Sequence, residues 1–265
     1  MANAAAPVKA PVKGTRPEGA ETEVDASRKV REMFAKIAPR YDFLNHFLSF
    51  ETDRLWRKRT ARILRPILQR PDAVVLDLCC GTGDLSLSLA KEGIARIIGA
   101  DFAHPMLVRA KEKSAAQSDN SSNGASRAIP FLEADALRLP FADASFDLVT
   151  TAFGFRNLAN YEAGLREIHR VLKPGGTIAI LEFTEPPPGL LGALYRWYFC
   201  EVLSRLGGLI SGNYAAYTYL PKSVSRFFLP PELASLMKEV GYVSVEFRLW
   251  TFGTVALHTA VKQGL

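Results

Sequence analysis

Large apolar side chains are almost missing from residues 1 to about 26, which run through Ala, Pro, Lys, Gly and Glu. Such a stretch cannot offset the entropy lost on ordering, so a disordered tail is expected over 1–26. Helical periodicity starts next. Val30, Met33, Phe34 and Ile37 recur at i, i+3, i+4 and i+7 behind a Ser27 cap, and Pro39 stops the run. A short apolar stretch near 43–50 and a basic one near 53–65 also read as helical, giving a helical cap over 27–70. From residue 74 the pattern changes to apolar runs at 74–78, 96–101, 129–135, 146–153 and 177–183. Helical stretches separate them at 84–92, after Pro105 and near 161–172. Buried runs alternating with helices are the mark of a parallel sheet covered on both faces. The chain closes with a helix at 231–240 and two strand patterns around Thr251-Phe252-Gly253, an antiparallel hairpin.

Two segments break the alternation. The polar run AAQSDNSSNGASR reads as an exposed loop insertion over 114–127, and 189–228 reads as an apolar, aromatic, helical insertion. The expected architecture is therefore an α/β fold with a Rossmann-like, mostly parallel sheet over 71–265. Its features are a C-terminal antiparallel hairpin, an N-terminal helical cap and a helical insertion. Hydrophobic residues at 48% and charged residues at 23% exclude wholesale disorder. No window approaches ~18 uncharged apolar residues, the length a spanning helix needs. The opening MANAAAPVKAPVKG lacks the apolar core of a secretory signal. Cys79, Cys80 and Cys200 form neither a disulfide framework nor a metal set, so no metal is expected and a reducing cytoplasm fits.

The strongest chemical signal is LDLCCGTGD, residues 76–84, where a strand feeds a glycine turn and then a helix. Gly81 and Gly83 let the backbone approach a ligand closely. Asp101 ends the second strand about twenty residues on, where an acidic side chain can bond ribose hydroxyls. Asp135-Ala136 ends the third strand on the same edge. A dinucleotide fingerprint would put a third glycine at residue 86, which is Ser86. S-adenosylmethionine has no phosphate, and its cationic sulfonium suits the carboxylates Asp77 and Asp84 better. That order of features, with LKPGG before the fifth strand, points to a methyltransferase.

The chain resembles the ubiquinone/menaquinone biosynthesis C-methyltransferases, class I adenosylmethionine enzymes that methylate a polyprenyl quinol ring. The resemblance covers residues 30–262. It rests on YDFLNHFLS (41–49), RLWRK (54–58), LDLCCGTGD, LPFADASFD (139–147), FGFRN (153–157), RVLKPGGTIAILEF (170–183) and YTYLPKSV (217–224). It implies S-adenosylmethionine as cofactor, bound through Thr82, Asp101, Asp135 and Ala136 beside Asp77, Gly81 and Gly83. It departs from the family pattern in two places. Ala152 stands where a serine often precedes FGxRN. Cys79 replaces the first loop glycine, which suggests a backbone that needs no positive φ there.

Methyl transfer to an aromatic carbon requires an electron-rich ring, which a hydroquinone supplies as it loses a phenolic proton. Arg156 and Asn157, at the end of the fourth strand, are the candidates for holding the ring oxygens, an unpaired arginine favouring the phenolate. Tyr41 and Asp42 are candidates for orientation or proton transfer, and Asn45, Tyr217 and Tyr219 for substrate contact. His46 is a weaker base candidate, and His169 and His258 read as structural. Glu182 ends the fifth strand on the ligand edge, where a binding role and a capping role are equally open. The helical insertion fits core packing, a groove for an isoprenoid tail, or an interfacial helix that docks on lipid.

Demethylmenaquinol is the expected substrate, with 2-methoxy-6-polyprenyl-1,4-benzoquinol as the second. The competing readings are a methyltransferase for another small molecule or RNA, and a non-catalytic adenosylmethionine-binding protein at a membrane. No nucleic-acid module or basic–aromatic stripe supports RNA, and a homodimer is the default assembly. The net charge of +6 is concentrated in residues 28–70, which hold twelve Lys and Arg against four Asp and Glu. Beside a lipid substrate, that excess predicts peripheral contact with the anionic inner face of the cell membrane.

Overall fold

A computed structural model of the protein describes residues 14–42, 49, 51–119, 128–185, 189, 192 and 214–264. Helix α1 (Glu23–Ile37) and a 3-10 turn (Ala38–Arg40) lead to α2 (Thr52–Leu68). The alternating body follows as β1 (Val74–Leu78), α3 (Asp84–Ala90), β2 (Arg96–Asp101), α4 (His104–Asp119), β3 (Phe131–Glu133), β4 (Phe146–Ala152), α5 (Tyr161–Val171) and β5 (Leu172–Phe183). Helices α6 (Tyr214–Arg226) and α7 (Pro230–Val240) precede the hairpin of β6 (Tyr242–Trp250) and β7 (Val255–Lys262).

The seven strands form one sheet in the order β3-β2-β1-β4-β5-β7-β6. Strands β1 to β5 are parallel, and β7 runs antiparallel between β5 and β6. The core divides by strand alternation. Leu76 and Leu78 face a layer with Leu165 and Ile168 of α5 and Leu233 and Met237 of α7. Val75 and Leu148 face Leu64 and Leu68 of α2 and Leu89 of α3. Truncating a fully buried side chain such as Ile168 to Ala would cost about 2–5 kcal/mol.

Several boundaries differ from the sequence reading. Helix α1 begins at Glu23 rather than behind Ser27, because the Thr22 hydroxyl accepts a hydrogen bond from the Asp25 amide and caps it. Residues 14–16, expected within the disordered tail, are packed on the body through bonds to Leu158, Ala159 and Tyr219. Helix α4 runs through Ala115 to Asp119, into the stretch expected to be loop. Alanine, lysine and glutamine are good helix formers that the polar reading undervalued. The apolar stretch near 43–50 and most of the 189–213 insertion lie outside the described residues, as do Asn45 and His46. Among the described residues no helix is long and apolar enough to cross a membrane.

Candidate active site

The carboxyl ends of β1, β2 and β4 and the residues after β3 surround a cleft of about 650 Å³. Helix α1 roofs it with Ser27 and Phe34, and Tyr41 closes the near side. The turn after β1 forms one wall. Gly81 and Gly83 have φ of 55° and 84°, the left-handed region that glycine adopts without steric cost. A Cβ on Gly81 would meet only the Tyr41 ring, at 3.9 Å, so this backbone faces open space. Cys79 also sits at a positive φ, 54°, against the sequence expectation. The turn needs the left-handed conformation there, and cysteine takes it at a cost of about 1–2 kcal/mol.

Asp101 anchors this wall. Its Oδ2 accepts from the Gly81 amide and its Oδ1 from the Ala103 amide, each at 2.9 Å. Burial raises its pKa, opposed by these amides. Each oxygen keeps a lone pair for a ligand hydroxyl. Asp135 folds over its own turn, accepting from the Leu137 amide at 2.9 Å. Phe102, Met106, Ala136 and Leu137 add an apolar slot between the two aspartates. Diol acceptors beside a flat apolar slot and an open glycine backbone fit the ribose, adenine and amino-acid parts of adenosylmethionine.

A second recess of about 320 Å³ continues on the far side of the glycine turn, sharing Tyr41, Cys79, Gly81 and Ala152 with the first. Asp77 lies in it, buried, accepting from Ser86 Oγ at 2.5 Å and Thr150 Oγ1 at 3.1 Å. Burial pushes its pKa up to about 7 despite those hydroxyls. Asp42 is drawn to the same turn, accepting from Thr82 Oγ1 and, at 3.0 Å, from Lys113 Nζ. Lys113 also bonds Asp84 and pairs Asp42 with it. Arg57, buried in α2, pairs with Asp53 and lies 3.9 Å from Asp84. The sequence reading missed Lys113 and Arg57. Both sit in helices as ordinary basic residues, and only the fold brings them to the glycine turn.

The FGFRN turn forms the opposite wall, with Phe153, Gly154, Asn157, Leu158 and Ala159 lining the cleft. Phe153, like Cys79, is a non-glycine residue of the cleft in the left-handed region, φ 59°. Arg156 is not the unpaired cation that the sequence suggested. Its guanidinium pairs with Glu182 at 2.7 Å, both side chains buried, and it also bonds Ser223 Oγ at 3.3 Å and the Phe153 carbonyl. Its amide donates to the same carboxylate at 3.1 Å. Burial opposes the charge of Arg156, but Glu182 more than compensates and its pKa is raised. Arg156 thus locks the turn to β5 and α6. Asn157 does reach the cleft and accepts from the Tyr219 hydroxyl at 3.0 Å. Tyr217 lies on the same helix, α6.

The remaining candidates are structural. His258 is buried, its Nε2 2.9 Å from the Pro230 carbonyl, and burial lowers its pKa to about 4. His169 packs edge-on to Tyr242, 5.0 Å between ring centres. The Cys79 and Cys80 thiols are driven far above their usual range by burial, so neither is a thiolate nucleophile.

Residues 22–262 match the family model of the ubiE/COQ5 methyltransferase family. The chain belongs to that family. A demethylmenaquinone methyltransferase of Thermus thermophilus is 50% identical over 227 residues, 85% of this chain and 98% of that one. A demethylmenaquinone methyltransferase of Deinococcus radiodurans is 46% identical over 90% of this chain and 95% of its own length. A ubiquinone/menaquinone biosynthesis C-methyltransferase of Geotalea daltonii is 41% identical over 90% of this chain and 98% of its own. Among solved structures, a possible histamine N-methyltransferase from Thermotoga maritima, dependent on adenosylmethionine, overlays with a TM-score of 0.60 at 18% identity. That overlay covers 88% of this chain and all of the other, and it supports the fold. This family member is an adenosylmethionine-dependent methyltransferase with the expected mostly parallel sheet.

Proposed function

We propose that this chain methylates a ring carbon of demethylmenaquinol to give menaquinol, using S-adenosylmethionine. The observation that carries this reading is the 50% and 46% identity to demethylmenaquinone methyltransferases, sustained over nearly all of each relative. Bound adenosylmethionine supplies an electrophilic methyl group on a sulfonium. Asp101 would hold its ribose, the slot between Phe102 and Leu137 its adenine, and the backbone around Gly81 its amino-acid end. Ala136 and Asp135 would close the adenine side, with Thr82 and Asp77 supporting the turn.

The quinol ring would lie against the FGFRN wall, where it reaches Asn157 and Tyr41. Asn157 offers an amide N–H to the ring oxygen that becomes phenolate-like, stabilising charge that grows during transfer. Tyr41, lining both recesses, stands where donor and acceptor meet. Asp42 holds the glycine turn in place through Thr82 and Lys113, so its role is to position rather than to move a proton. Because Arg156 is neutralised by Glu182, it contributes geometry, not net charge.

A lipid substrate calls for a route from the bilayer. Helix α2 exposes Arg54, Lys58, Arg62 and Arg65, with Leu55 60% exposed among them. The β6–β7 tip is fastened beside it by the Trp56 indole, which donates to Thr251 Oγ1 at 2.9 Å, and by Arg59, 4.8 Å over the Trp250 ring. That tip presents Phe252, 77% exposed at φ 57°. Since β7 is antiparallel to β5, the tip stands on the same sheet edge as the cleft. Basic residues around protruding apolar ones suit an anionic leaflet, so this edge is the membrane-facing one in our reading.

The test is transfer of labelled methyl onto demethylmenaquinol and, in parallel, onto 2-methoxy-6-polyprenyl-1,4-benzoquinol. Incorporation into the first supports the proposal. Incorporation only into the second moves the enzyme to ubiquinone synthesis, and incorporation into neither, with cofactor binding intact, overturns it.

A further inference from the structure

Residues 14–16 precede the segment matched by the family model, which begins at 22, yet they are built into the back of the cleft wall. Gly14 lies so close to residue 159 that a Cβ there would sit 1.9 Å from the Ala159 carbonyl oxygen. The Thr15 amide donates to the Leu158 carbonyl at 2.8 Å, and Arg16 Nη1 donates to the Ala159 carbonyl at 2.7 Å. Leu158 and Ala159 themselves line the cleft. Thr15 is 6% exposed, and its Oγ1 is 2.8 Å from the Tyr219 hydroxyl, which in turn is 3.0 Å from Asn157 Oδ1.

The direction of these bonds follows from the far end. Asn157 Nδ2 lies 3.4 Å from the Phe153 carbonyl, which can only accept. The amide nitrogen must therefore face Phe153, and Oδ1 must face Tyr219. Tyr219 then has to donate to Asn157, which leaves its oxygen to accept the hydroxyl proton of Thr15. The second Nδ2 hydrogen of Asn157 has no partner among the described residues, and the residue borders the cleft.

We propose that Thr15 is a positioning residue. Through Tyr219 it fixes the Asn157 amide so that an N–H, not a carbonyl, is offered to the substrate oxygen. A flipped amide would present a lone pair to an oxygen gaining negative charge and raise the barrier. This rests on the quinol reading above and adds a strap from outside the family segment to the acceptor half of the site.

Five proteins test it: the full chain, Thr15→Val, Thr15→Ser, Tyr219→Phe and the double variant Thr15→Val/Tyr219→Phe. Losing one hydrogen bond in the relay should lower kcat for demethylmenaquinol about fivefold to tenfold. Adenosylmethionine affinity by calorimetry should stay within about twofold, and Thr15→Ser should restore turnover. In the Tyr219→Phe background Thr15→Val should add almost nothing, because the relay is already cut. Additive effects, an inert Thr15→Val, or an equal loss of cofactor affinity would overturn the proposal. A readout independent of turnover is the Asn157 side-chain amide pair in a nitrogen-15 spectrum, assigned by its disappearance in Asn157→Asp. It should shift in Thr15→Val and not in Thr15→Ser; an unchanged pair in Thr15→Val also overturns the proposal. A wild-type protein that binds cofactor but methylates no quinol refutes the functional reading alone, and the amide pair still decides the relay.

Discussion

Arg156 and Glu182 face each other at 2.7 Å, with side chains 6% and 1% exposed. They join the turn after β4 to the end of β5. Removing one partner of such a pair strands the other charge in a low dielectric, at about 3–5 kcal/mol. Arg156→Ala should therefore lower stability in urea by that order, with activity lost as the cleft wall loosens. A variant that lost turnover at unchanged stability would instead return Arg156 to direct substrate contact.

Cys79 and Gly154 are coupled in the same way across two turns. A Cβ on Gly154 would lie 2.4 Å from the Cys79 Cβ, nearer than any packed pair allows. Gly154→Ala should cost about 1–3 kcal/mol as overpacking. Cys79→Gly removes the obstructing atom and the left-handed strain together. In thermal melts the double variant should regain most of the Tm lost by Gly154→Ala, which additive losses would contradict.

Asp77 predicts a pH dependence of stability. Its carboxyl titrates near 7 in the folded protein and near 3.8 when unfolded, because burial disfavours the charge. The folded state thus keeps the proton longer than the unfolded one. The resulting stabilisation is complete below about pH 3.8 and is lost as pH rises through about 7. Asp77→Asn cannot titrate, so its Tm relative to wild type should climb between pH 4 and 7.5. A constant difference across that range would place the Asp77 pKa elsewhere.

Lys113 ties Asp42, Thr82 and Asp84 into one cluster at the glycine turn. Lys113→Met leaves two carboxylates without their shared cation. Adenosylmethionine affinity should fall roughly tenfold, since hydrogen bonds to charged groups contribute about 1.5–3 kcal/mol. Calorimetry reads this directly, and unchanged affinity would uncouple the cluster from the cofactor.

The membrane edge is tested with vesicles of phosphatidylcholine containing phosphatidylglycerol. The full chain should co-sediment in proportion to anionic lipid and detach as salt rises. Phe252→Ser and Leu55→Ser should each weaken binding, since burying such a side chain is worth about 1.5–3 kcal/mol. Neither should alter methylation of a tail-free quinol in buffer. Binding indifferent to both lipid charge and these substitutions would leave α2 an ordinary solvated face.

How far the sequence reached depends on how local each feature is. Strands β1 and β2 fall on the residues expected, because short apolar runs bounded by polar ones describe buried strands completely. Strand β5 starts at Leu172, earlier than expected, since Leu172 pairs with Phe146 across an irregular KPGG stretch that no apolar run announces. The glycine turn and both aspartates were legible from motif and spacing. The neutralisation of Arg156 was not, because its partner comes from another strand and no local pattern joins 156 to 182. Nor was Thr15 visible as anything but tail, since two hydrogen bonds of its own and one from Arg16, not apolar bulk, hold it down.

Helix α1 and the turn after it are seated on the body by the buried Ala26, Val30 and Ile37 and tied by polar contacts that include Arg31 to Glu133, Arg109 to the Pro39 carbonyl, and Lys113 to Asp42. Two of the three are ion pairs, which dissolved salt screens. An exchange of spent for fresh methyl donor that passes this roof would therefore quicken as ionic strength rises. When release rather than chemistry limits turnover, salt would quicken the catalytic cycle while weakening the proposed contact with an anionic leaflet, two opposed effects acting through the same kind of bond.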